Sequence, residues 1–379
     1  MKKTNVPRLR FNGFSGEWKE TKMEDVSDIR DGTHSSPKNQ KDGYSLITSK
    51  NLKNGHIDFL NVSKISKIDY ETINKRSKVD KNDIIFGMIG TIGNPVLIKK
   101  GGFAIKNVAL IKGNKRVNPN FMLNFLSSIP FKNQINMNNE GGTQKFISLK
   151  NIRNCIINIT ECNEQQKIGE FFAKQDKLIE LQTQKVDQLK KLKRGYLQKM
   201  FPQEGETVPR LRFSGFSGEW KEVTLGECYS INTGKSKYFI NDNGKYAIAG
   251  SKGIIGYDSD YDYSGSFVMV SRVGEAGSMY ELDGKLKITD NTIFIQTNYN
   301  KYLSGLLTNR NINKLSQGSG RRIIKSSDLK RMKINSANFS EQKKINDCII
   351  LIDKILELEL KKLNELKRQK KSYLQKMFI

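Results

Sequence analysis

The sequence predicts an α+β protein built as an internal repeat, in which two sheet-containing domains alternate with two long helices. Three observations support this fold class. A segment at residues 6–20 returns almost unchanged at 208–222, and a helical segment at 164–201 returns at 341–378. Between these copies lie short runs rich in β-branched and aromatic residues, separated by Gly and Asn.

The first repeated element, called the arm below, is VPRLRFNGFSGEWKE in one copy and VPRLRFSGFSGEWKE in the other, with 14 of 15 positions identical. Both tryptophans of the chain, Trp18 and Trp220, lie in the arms. A large indole ring buries much apolar surface, so we expect each tryptophan to anchor its arm. The arms are therefore interpreted as structural.

The second repeated element has 18 of 38 positions identical and no internal proline. Its Leu, Lys, Glu and Gln content and its apolar spacing predict a long helix in each copy. We expect the apolar stripes to be mainly core. The stripe residues are Ile168, Phe171, Leu178, Leu189, Leu192 and Tyr196 in the first copy, and Ile345, Ile352, Ile355, Leu356, Leu363, Leu366 and Tyr373 in the second.

The segments between arm and helix, 21–163 and 223–340, match only in patches, and the first is 25 residues longer. Runs such as DIIFGMIG and NTIFIQT predict a curved sheet with glycine bulges in each segment. Residues 120–135 predict one helix. The pattern indicates one fold that carries two different surfaces.

These elements divide the chain into four parts. The predicted boundaries are 1–163 for the first arm and domain, 164–205 for the central helix, 206–340 for the second arm and domain, and 341–379 for the last helix. A helix of about 38 residues is about 57 Å long. Two such helices packed antiparallel would separate the domains by more than one turn of DNA, about 34 Å.

The charge of the chain indicates a polyanionic partner. Lys and Arg number 65 against 39 Asp and Glu, which gives a net charge of +26. The two helices carry +4 each, so +18 lies on the arms and domains. Such an excess is typical of nucleic-acid binding. Hydrophobic residues make up 36% of the chain, and only 7 residues are proline. This composition favours folded domains over a disordered basic tail.

Cysteine usage and the start of the chain predict a cytoplasmic protein. The four cysteines, Cys155, Cys162, Cys228 and Cys348, form no C-x-x-C pair, so neither a disulfide framework nor a zinc knuckle is predicted. The basic start lacks an apolar signal region, and no stretch approaches the roughly 18 apolar residues of a membrane span.

No catalytic, metal or cofactor motif is convincing, so the chain is predicted to be no enzyme and to need no cofactor. Asn94-Pro95-Val96 departs from the Asn-Pro-Pro-aromatic run of adenine methyltransferases, and Gly234-Lys235-Ser236 lacks the first glycine of a P-loop. The remaining candidates are interpreted as loop residues or turn caps: His34, His56, Asp258 and Asp260.

Two glycine-containing loops are the leading candidates for DNA contact. They are Gly142-Thr143-Gln144-Lys145 and Ser319-Gly320-Arg321-Arg322. Small residues let the backbone approach phosphate, while Gln and Arg can bind adenine and guanine with two hydrogen bonds. Lys50, Lys252 and Arg272 lie near matched patches and are candidates for phosphate contact. The alternative is that all of these are ordinary exposed turns and solvated side chains.

Each repeated helix ends in Tyr-Leu-Gln-Lys-Met-Phe, and Met and Phe would be unusual if left exposed there. The ends are therefore candidates for partner binding, although packing on the adjoining arm would explain them equally well. The residues concerned are Tyr196, Leu197, Met200 and Phe201, and Tyr373, Leu374, Met377 and Phe378.

The duplicated arm, the two repeated helices and the two unlike domains together resemble the specificity (S) subunit of type I restriction–modification systems, over essentially the whole chain. The resemblance implies two target recognition domains that each recognise one half of a split, asymmetric double-stranded DNA site. It also implies that the helices pack as an antiparallel, coiled-coil-like pair and that two modification (adenine methyltransferase) subunits dock on the assembly. ATP-dependent restriction subunits join in the full complex.

Two other classes of function remain open on the residues alone. One is a stand-alone sequence-specific DNA-binding or architectural protein, which would bind duplex DNA tightly without a partner. The other is a nuclease or methyltransferase with an unfamiliar centre, which would be active with a metal or a methyl donor.

Overall fold

A computed structural model describes residues 5–114, 116–137, 146–316 and 322–379. The chain folds into two compact units. The first unit comprises the residues up to Thr183 together with Lys362–Ile379, and the second comprises Gln184–Lys361. Each unit therefore contains one arm, one sheet-containing domain and part of both long helices.

The described residues include ten α-helices, and the two long ones coincide with the repeated helical segment. The helices are α1 (Met23–Val26), α2 (Lys67–Ser77), α3 (Pro119–Ser127), α4 (Ile129–Met137), α5 (Leu149–Asn154), α6 (Cys162–Lys199), α7 (Leu225–Cys228), α8 (Asn300–Asn309), α9 (Ser326–Arg331) and α10 (Phe339–Met377). Short 3-10 turns lie at Ser49–Asn51 and Ile312–Leu315.

The first unit contains a four-stranded sheet of order β2-β10-β7-β8, a three-stranded sheet of order β6-β3-β9, and the pairs β1-β11 and β4-β5. Its strands are β1 (Lys19–Lys22), β2 (Ile29–Asp31), β3 (Tyr44–Ile47), β4 (Leu52–Lys53), β5 (His56–Ile57), β6 (Ser63–Ile65), β7 (Ile84–Gly87), β8 (Gly93–Leu97), β9 (Ala104–Ile105), β10 (Val108–Ile111) and β11 (Ile156–Ile159).

The second unit contains a six-stranded sheet of order β13-β18-β16-β17-β14-β15 and the pair β12-β19. Its strands are β12 (Lys221–Thr224), β13 (Ser230–Thr233), β14 (Tyr246–Gly250), β15 (Gly253–Asp258), β16 (Tyr263–Ser271), β17 (Met279–Ile288), β18 (Thr292–Gln296) and β19 (Lys333–Ser336). The predicted bulges are present, at Ile85/Gly87 in the first unit and Ile248/Ala249 in the second.

The prediction of one helix over 120–135 is wrong, because the structure has two, α3 and α4. Ser128 separates them in extended conformation, and its amide donates to the Phe125 carbonyl oxygen at 2.9 Å. Pro130 has no amide hydrogen to continue the helical hydrogen bonds, so a new helix starts here. The Ser128 hydroxyl accepts from the Phe131 amide at 3.4 Å.

The two arms pack in the same way in their own units, which confirms that the tryptophans are anchors. Trp18 is buried, with its ring centroid 5.7 Å from that of Phe121 and 6.3 Å from that of Phe378. Trp220 is likewise buried, 6.1 Å from Phe201. In each unit the arm therefore covers the repeated Met-Phe end of the long helix that terminates there.

Each arm also binds the start of the other long helix of its unit through a buried ion pair. Arg10 Nε and Nη2 lie 2.7 and 2.8 Å from the Glu164 carboxylate oxygens. Arg212 lies 2.8 Å from both carboxylate oxygens of Glu341. Two-point contact between a guanidinium and a carboxylate fixes geometry as well as charge. The duplicated Pro-Arg-Leu-Arg sequence is thus explained by two duplicated contacts.

The parts of α6 and α10 in the second unit run antiparallel. Residues further along α6 pair with residues earlier in α10. Lys185 Nζ lies 2.5 Å from Glu359 Oε1, and Lys193 pairs with Asp353. Within the first unit, Lys370 pairs with Asp176. These contacts confirm the antiparallel pairing that the resemblance implies.

The prediction that the helical stripes are core is correct for only part of each stripe. Ile168, Ile345 and Leu363 are buried, but Leu178 and Leu192 are nearly half exposed, at 49% and 46%. The same periodic spacing therefore includes both buried and solvent-exposed apolar side chains. Within the described part of the chain, no helix has the length and apolar character required to cross a membrane.

Candidate nucleic-acid interface

One end of each sheet carries a glycine turn to which a distant segment is joined. In the first unit, the turn between β7 and β8 forms an antiparallel bridge between Ile89 and Phe146, and the Ile147 amide donates to the Met88 carbonyl oxygen at 3.0 Å. In the second unit, the turn between β16 and β17 forms the equivalent bridge between Val273 and Ile323.

Each bridging residue directly follows a predicted contact loop in the sequence, since Phe146 follows Lys145 and Ile323 follows Arg322. Thr143, Gln144, Lys145, Ser319 and Arg321 themselves lie outside the described residues. Their contact with DNA stays a prediction. Arg322, the last residue of the second loop, is described and exposed.

Close backbone approach at Gly87, where the first turn begins, and a left-handed backbone at Gly277 in the second turn explain why glycine occupies both positions. A Cβ at residue 87 would lie 2.3 Å from the Thr91 carbonyl oxygen and 3.3 Å from Ser49 Cβ. Gly277 adopts φ +90°, and a Cβ there would lie 2.1 Å from Asn313 Oδ1. Both contacts are shorter than any side chain tolerates, so each turn stays compact against its neighbours.

In the first unit, Lys50 lies next to the glycine turn. It is exposed in the 3-10 turn Ser49–Asn51, whose Ser49 hydroxyl donates to the Asn107 carbonyl oxygen at 3.2 Å. Ser49 also faces Gly87, the last residue of β7 before the glycine turn. Contact of Lys50 with phosphate stays a prediction.

In the second unit, Lys252 and Arg272 adjoin the equivalent glycine turn. Lys252 lies at the tip of the β14–β15 hairpin, and its Nζ is 2.8 Å from Glu275 Oε1 in the glycine turn. This lysine lowers the pKa of the Glu275 carboxyl. Arg272 is half-buried, and its Nη1 donates to the Asp290 carbonyl oxygen at 3.2 Å. Its carbonyl oxygen accepts from the Ile324 amide at 3.0 Å, next to the second loop.

Sequence reasoning missed a polar network around His34, which it interpreted as a loop residue. His34 Nε2 lies 2.8 Å from Asp31 Oδ2, and Nδ1 lies 2.9 Å from Asn107 Oδ1. Asp31 also pairs with Arg76. Asn107 precedes β10 in a left-handed conformation and matches Asn291 of the second repeat. That match is the signal that could have pointed to the network.

Gly234-Lys235-Ser236, which lacks the first glycine of a P-loop, makes backbone hydrogen bonds to the sheet. The Gly234 amide donates to the Thr292 carbonyl oxygen at 2.9 Å, and the Ser236 amide donates to that of Ile288 at 3.0 Å. Gly234-Lys235-Ser236 therefore continues the sheet edge beyond β13. Among the residues that the structure describes, no three His, Cys, Asp or Glu side chains form a cluster suited to a metal ion.

The repeated helix ends pack on the arms, which agrees with the alternative given for them above. Met200 and Phe201 are buried in the second unit, and Leu374, Met377 and Phe378 in the first. Tyr196, Leu197 and Tyr373 are half-buried beside the same cores. The Leu211 amide donates to the Lys199 carbonyl oxygen at 2.8 Å, and the Leu9 amide donates to that of Lys376 at 3.0 Å. Partner binding through these side chains stays a prediction.

The helices do expose apolar side chains elsewhere. Leu351, Ile355 and Leu358 of α10 repeat at helical spacing, and Leu351 and Leu358 are 58% and 64% exposed. A stripe of this kind on a helix is a common feature of protein interfaces. It lies on the part of α10 that belongs to the second unit.

Comparison with known proteins decides the family. The sequence profile described as the type I restriction modification DNA specificity domain matches residues 15–191 and 217–368. The chain belongs to this family. Both matches include a repeated helix and a sheet-containing domain, so the two halves of the chain are two copies of the same specificity module. The family assignment confirms the interpretation as a DNA-specificity subunit rather than an enzyme, and it disfavours the stand-alone DNA-binding protein.

Individual relatives agree with the assignment. The type I restriction enzyme EcoBI specificity subunit of Escherichia coli is 27% identical over 202 residues, which cover 49% of this chain and 41% of that subunit. A protein of Methanocaldococcus jannaschii, provisionally named the type I restriction enzyme MjaX specificity subunit, is 23% identical over 406 aligned positions. That alignment covers 98% of this chain and 95% of the relative.

Solved structures support the fold. The S subunit of the type I restriction–modification system from M. genitalium superposes with a TM-score of 0.65 at 18% identity, covering 99% of both chains. A chain from a structure on complex assembly and conformational transition of the type I system gives 0.56, also at 18% identity, and covers 94% of this chain and 96% of that one. This chain therefore shares the fold of these two structures.

The Lys252–Glu275 pair leads to a prediction about salt dependence. If Lys252 contacts a phosphate, Lys252→Gln should make the slope of log affinity against log salt about 0.9 less steep, because one counterion fewer is released. Glu275→Gln should strengthen binding, since it removes a negative charge from the interface. Fluorescence anisotropy with random-sequence duplex DNA between 50 and 200 mM salt, about the range in which such slopes are measured, provides the readout.

The matched control is Lys361→Gln, because Lys361 is an exposed lysine that pairs with Glu357 at 2.8 Å on α10. It should leave the slope unchanged. Equal slopes for Lys252→Gln and the unmodified chain would show that Lys252 makes no phosphate contact.

Proposed function

We propose that this chain recognises a split, asymmetric DNA sequence for a cytoplasmic type I restriction–modification complex, in which partner subunits methylate adenine and cleave DNA. The first recognition domain binds one half of the site and the second domain binds the other. The functional parts are 1–163 and 206–340 as arm and recognition domain, with 164–205 and 341–379 as the repeated helices. The chain itself carries no catalytic role.

The observation that carries this proposal is the pair of matched bridges with unlike loops. Ile89 bridges Phe146 and Val273 bridges Ile323, and these two partners directly follow the two predicted loops in the sequence. The loop sequences differ, with Thr-Gln-Lys in one and Gly-Arg-Arg in the other. Equivalent bridges next to loops of different sequence suit two half-sites of different sequence, since base edges are distinguished by side-chain donors and acceptors.

Charge supports the assignment of the interface to these sheet ends. Lys50 in the first unit and Lys252, Arg272 and Arg322 in the second lie at or beside the glycine turns. Phosphate contacts by such residues supply affinity and register, while base contacts supply sequence preference. Most of the net charge of +26 lies outside the repeated helices.

For the helices we propose two roles, which are spacing and docking. The 38 residues of α6 correspond to about 57 Å of helix, so helix length would set the spacer between the half-sites. The exposed residues Leu351, Ile355 and Leu358 offer an apolar stripe to a modification subunit. Two modification subunits would dock on the repeated helices, and restriction subunits would join the full complex.

A modification map tests the proposal. Single-molecule sequencing of the native genome, with and without this gene, should show that one split methyladenine motif disappears when the gene is deleted. The physical reason is that, in the proposed complex, the modification subunits have no sequence preference without this chain. An unchanged methylation pattern in cells that express the modification subunits would contradict the proposal.

Exchange of one domain provides a sharper prediction. Replacing residues 223–340 by the corresponding segment of another family member should change the second half-site completely and leave the first half-site unchanged. The two sheets belong to separate compact units, so the side chains at one sheet end are unaffected by exchange of the other. Single-molecule sequencing of cells that carry the hybrid measures both half-sites at once. A change in the first half-site would contradict independent recognition.

A further inference from the structure

The second unit exposes a ridge of apolar side chains at the edge of its large sheet. The ridge residues are Tyr238, Phe239, Ile240, Ile254, Ile255 and Tyr257, and Phe239 and Ile240 are 83% and 62% exposed. Single exposed apolar side chains are ordinary, but six of them on an edge strand and the segment that runs along it indicate a binding surface. The ridge is not part of the loops, lysines and arginines described above.

The ridge is built into the fold by backbone contacts. β15, which carries Ile254, Ile255 and Tyr257, is the edge strand of the six-stranded sheet. The preceding segment runs along it, since the Asn241 amide donates to the Tyr257 carbonyl oxygen at 2.9 Å. The Phe239 amide donates to Asp258 Oδ2, also at 2.9 Å. Ile240 packs over Gly256, where an added Cβ would lie 3.1 Å from Ile240 Cγ1.

The ridge is continuous with the candidate interface of the same unit. Lys252 forms the tip of the β14–β15 hairpin, and Ile254 follows it by two residues. β15 has six residues, which extend about 20 Å at 3.4 Å per residue. That length matches about six stacked base pairs, and an antiparallel pair of strands fits the major groove of DNA.

Charge favours DNA over a protein as the occupant. Four exposed lysines flank the ridge, Lys235, Lys237, Lys245 and Lys252, against one exposed acidic residue in the same segment, Asp242. Glu275 pairs with Lys252, which leaves an excess of two lysines. Asp260 and Asp262, beyond β15, face Lys287 at 4.0 and 3.3 Å. Lysine is depleted in the apolar centre of protein interfaces. Lysines beside aliphatic and aromatic side chains suit a surface that binds phosphates and base edges together.

We propose that this ridge recognises thymine in the second half-site by packing against its 5-methyl group. The methyl group is the one apolar feature that a base pair presents in the major groove, and apolar side chains contact it. The proposal rests on the function proposed above and deepens it: A·T pairs of the second half-site would be recognised by apolar contact, in addition to hydrogen bonds from the loops.

Replacing thymine by deoxyuridine tests this directly, because it removes the methyl group and keeps every hydrogen-bonding atom of the base. The probe is a fluorescent duplex with the mapped site, in which all thymines of the second half-site are deoxyuridine. Binding is measured with the chain in complex with its modification subunits. We expect about fourfold weaker binding for each methyl group contacted, the value of one buried methyl group.

Phe239→Ser and Ile254→Ser should lose this discrimination and bind both duplexes alike. Leu60→Ser is the matched control, because Leu60 is a highly exposed apolar residue of the first unit; it should keep the full discrimination in the second half-site. A duplex with deoxyuridine in the first half-site checks folding. The ratio of its affinity to that of the thymine duplex should be the same for the two ridge variants as for the unmodified chain.

Several outcomes would overturn the proposal while leaving the proposed function intact. These are equal affinity of the unmodified chain for thymine and deoxyuridine duplexes, unchanged discrimination in both ridge variants, or a mapped second half-site without thymine. Equal weakening of both duplexes in the variants would also overturn it and point to a protein partner. Failure of the complex to prefer the mapped site over random DNA would instead contradict the proposed function itself.

Discussion

Replacing Arg10 by Met is expected to lower the free energy of unfolding of the first unit by about 3–5 kcal/mol. The Glu164 carboxylate is fully buried and Arg10 is 13% exposed, so little water can replace the lost guanidinium. The ion pair also raises the pKa of Arg10, chiefly through the hydrogen bond to Glu164. Removing one partner leaves an uncompensated buried charge, which costs far more than loss of a surface pair.

Urea unfolding measures this effect. In a Trp220→Phe background, Trp18 fluorescence reports on the first unit alone, because Trp18 is then the sole tryptophan. The matched control is Arg8→Met, an exposed arginine of the same arm, which should change stability by no more than about 0.5 kcal/mol.

A double variant separates the charge from the packing. Arg10→Met together with Glu164→Met should recover much of the loss, since no charge remains buried and the methionines refill the space. A single variant within about 1 kcal/mol of the unmodified chain would contradict the importance of the pair. The equivalent substitution Arg212→Met should affect the second unit in the same way.

Replacing Trp220 by Ala is expected to cost about 3–5 kcal/mol in the second unit, because the indole ring fills space between Phe201 and Tyr302 and the cavity closes only partly. The ring centroids lie 6.1 Å from both neighbours. Loss of the arm contact would also expose the end of α6. Urea unfolding followed by far-UV circular dichroism, with hydrogen exchange of α8, measures the loss.

Trp220→Phe should cost much less, under about 1.5 kcal/mol. The Trp220 Nε1–H is buried and has no hydrogen-bond partner within the part of the chain that the structure describes. Phenylalanine removes this unsatisfied donor, which offsets part of the lost ring contact. Equal costs for Ala and Phe would show that the N–H, or the exact indole shape, matters more than ring packing.

Helices and arms were predictable because their signals are local or repeated. The apolar spacing of 164–201 and 341–378 predicted α6 and α10 closely, and Pro202 lies just after the observed end of α6. Residues 120–135 were predicted less well. Their apolar pattern continues through Ser128, and only the geometry at Ser128 and Pro130 divides the segment into α3 and α4.

The candidate interface was predictable in part. Matched glycine patches placed Lys50, Lys252 and Arg272 near equivalent turns, and the structure places them there. The ion pair between Lys252 and Glu275 and the network around His34 were not predicted. Both depend on side chains that come together from distant segments of the chain. Composition and spacing do not reveal such contacts.

Repetition and periodicity in the sequence predicted two copies of one module and two long helices. Composition gave the excess of basic residues, and the resemblance of the repeated motifs indicated the specificity family. Tertiary structure alone decided that each arm pairs with the start of one long helix and covers the end of the other. It also decided that the Met-Phe ends are buried and that Phe239 and Ile240 are exposed. Hydrophobicity indicates that a side chain can be buried, but only the packing of sequence-distant segments determines which side chains are covered.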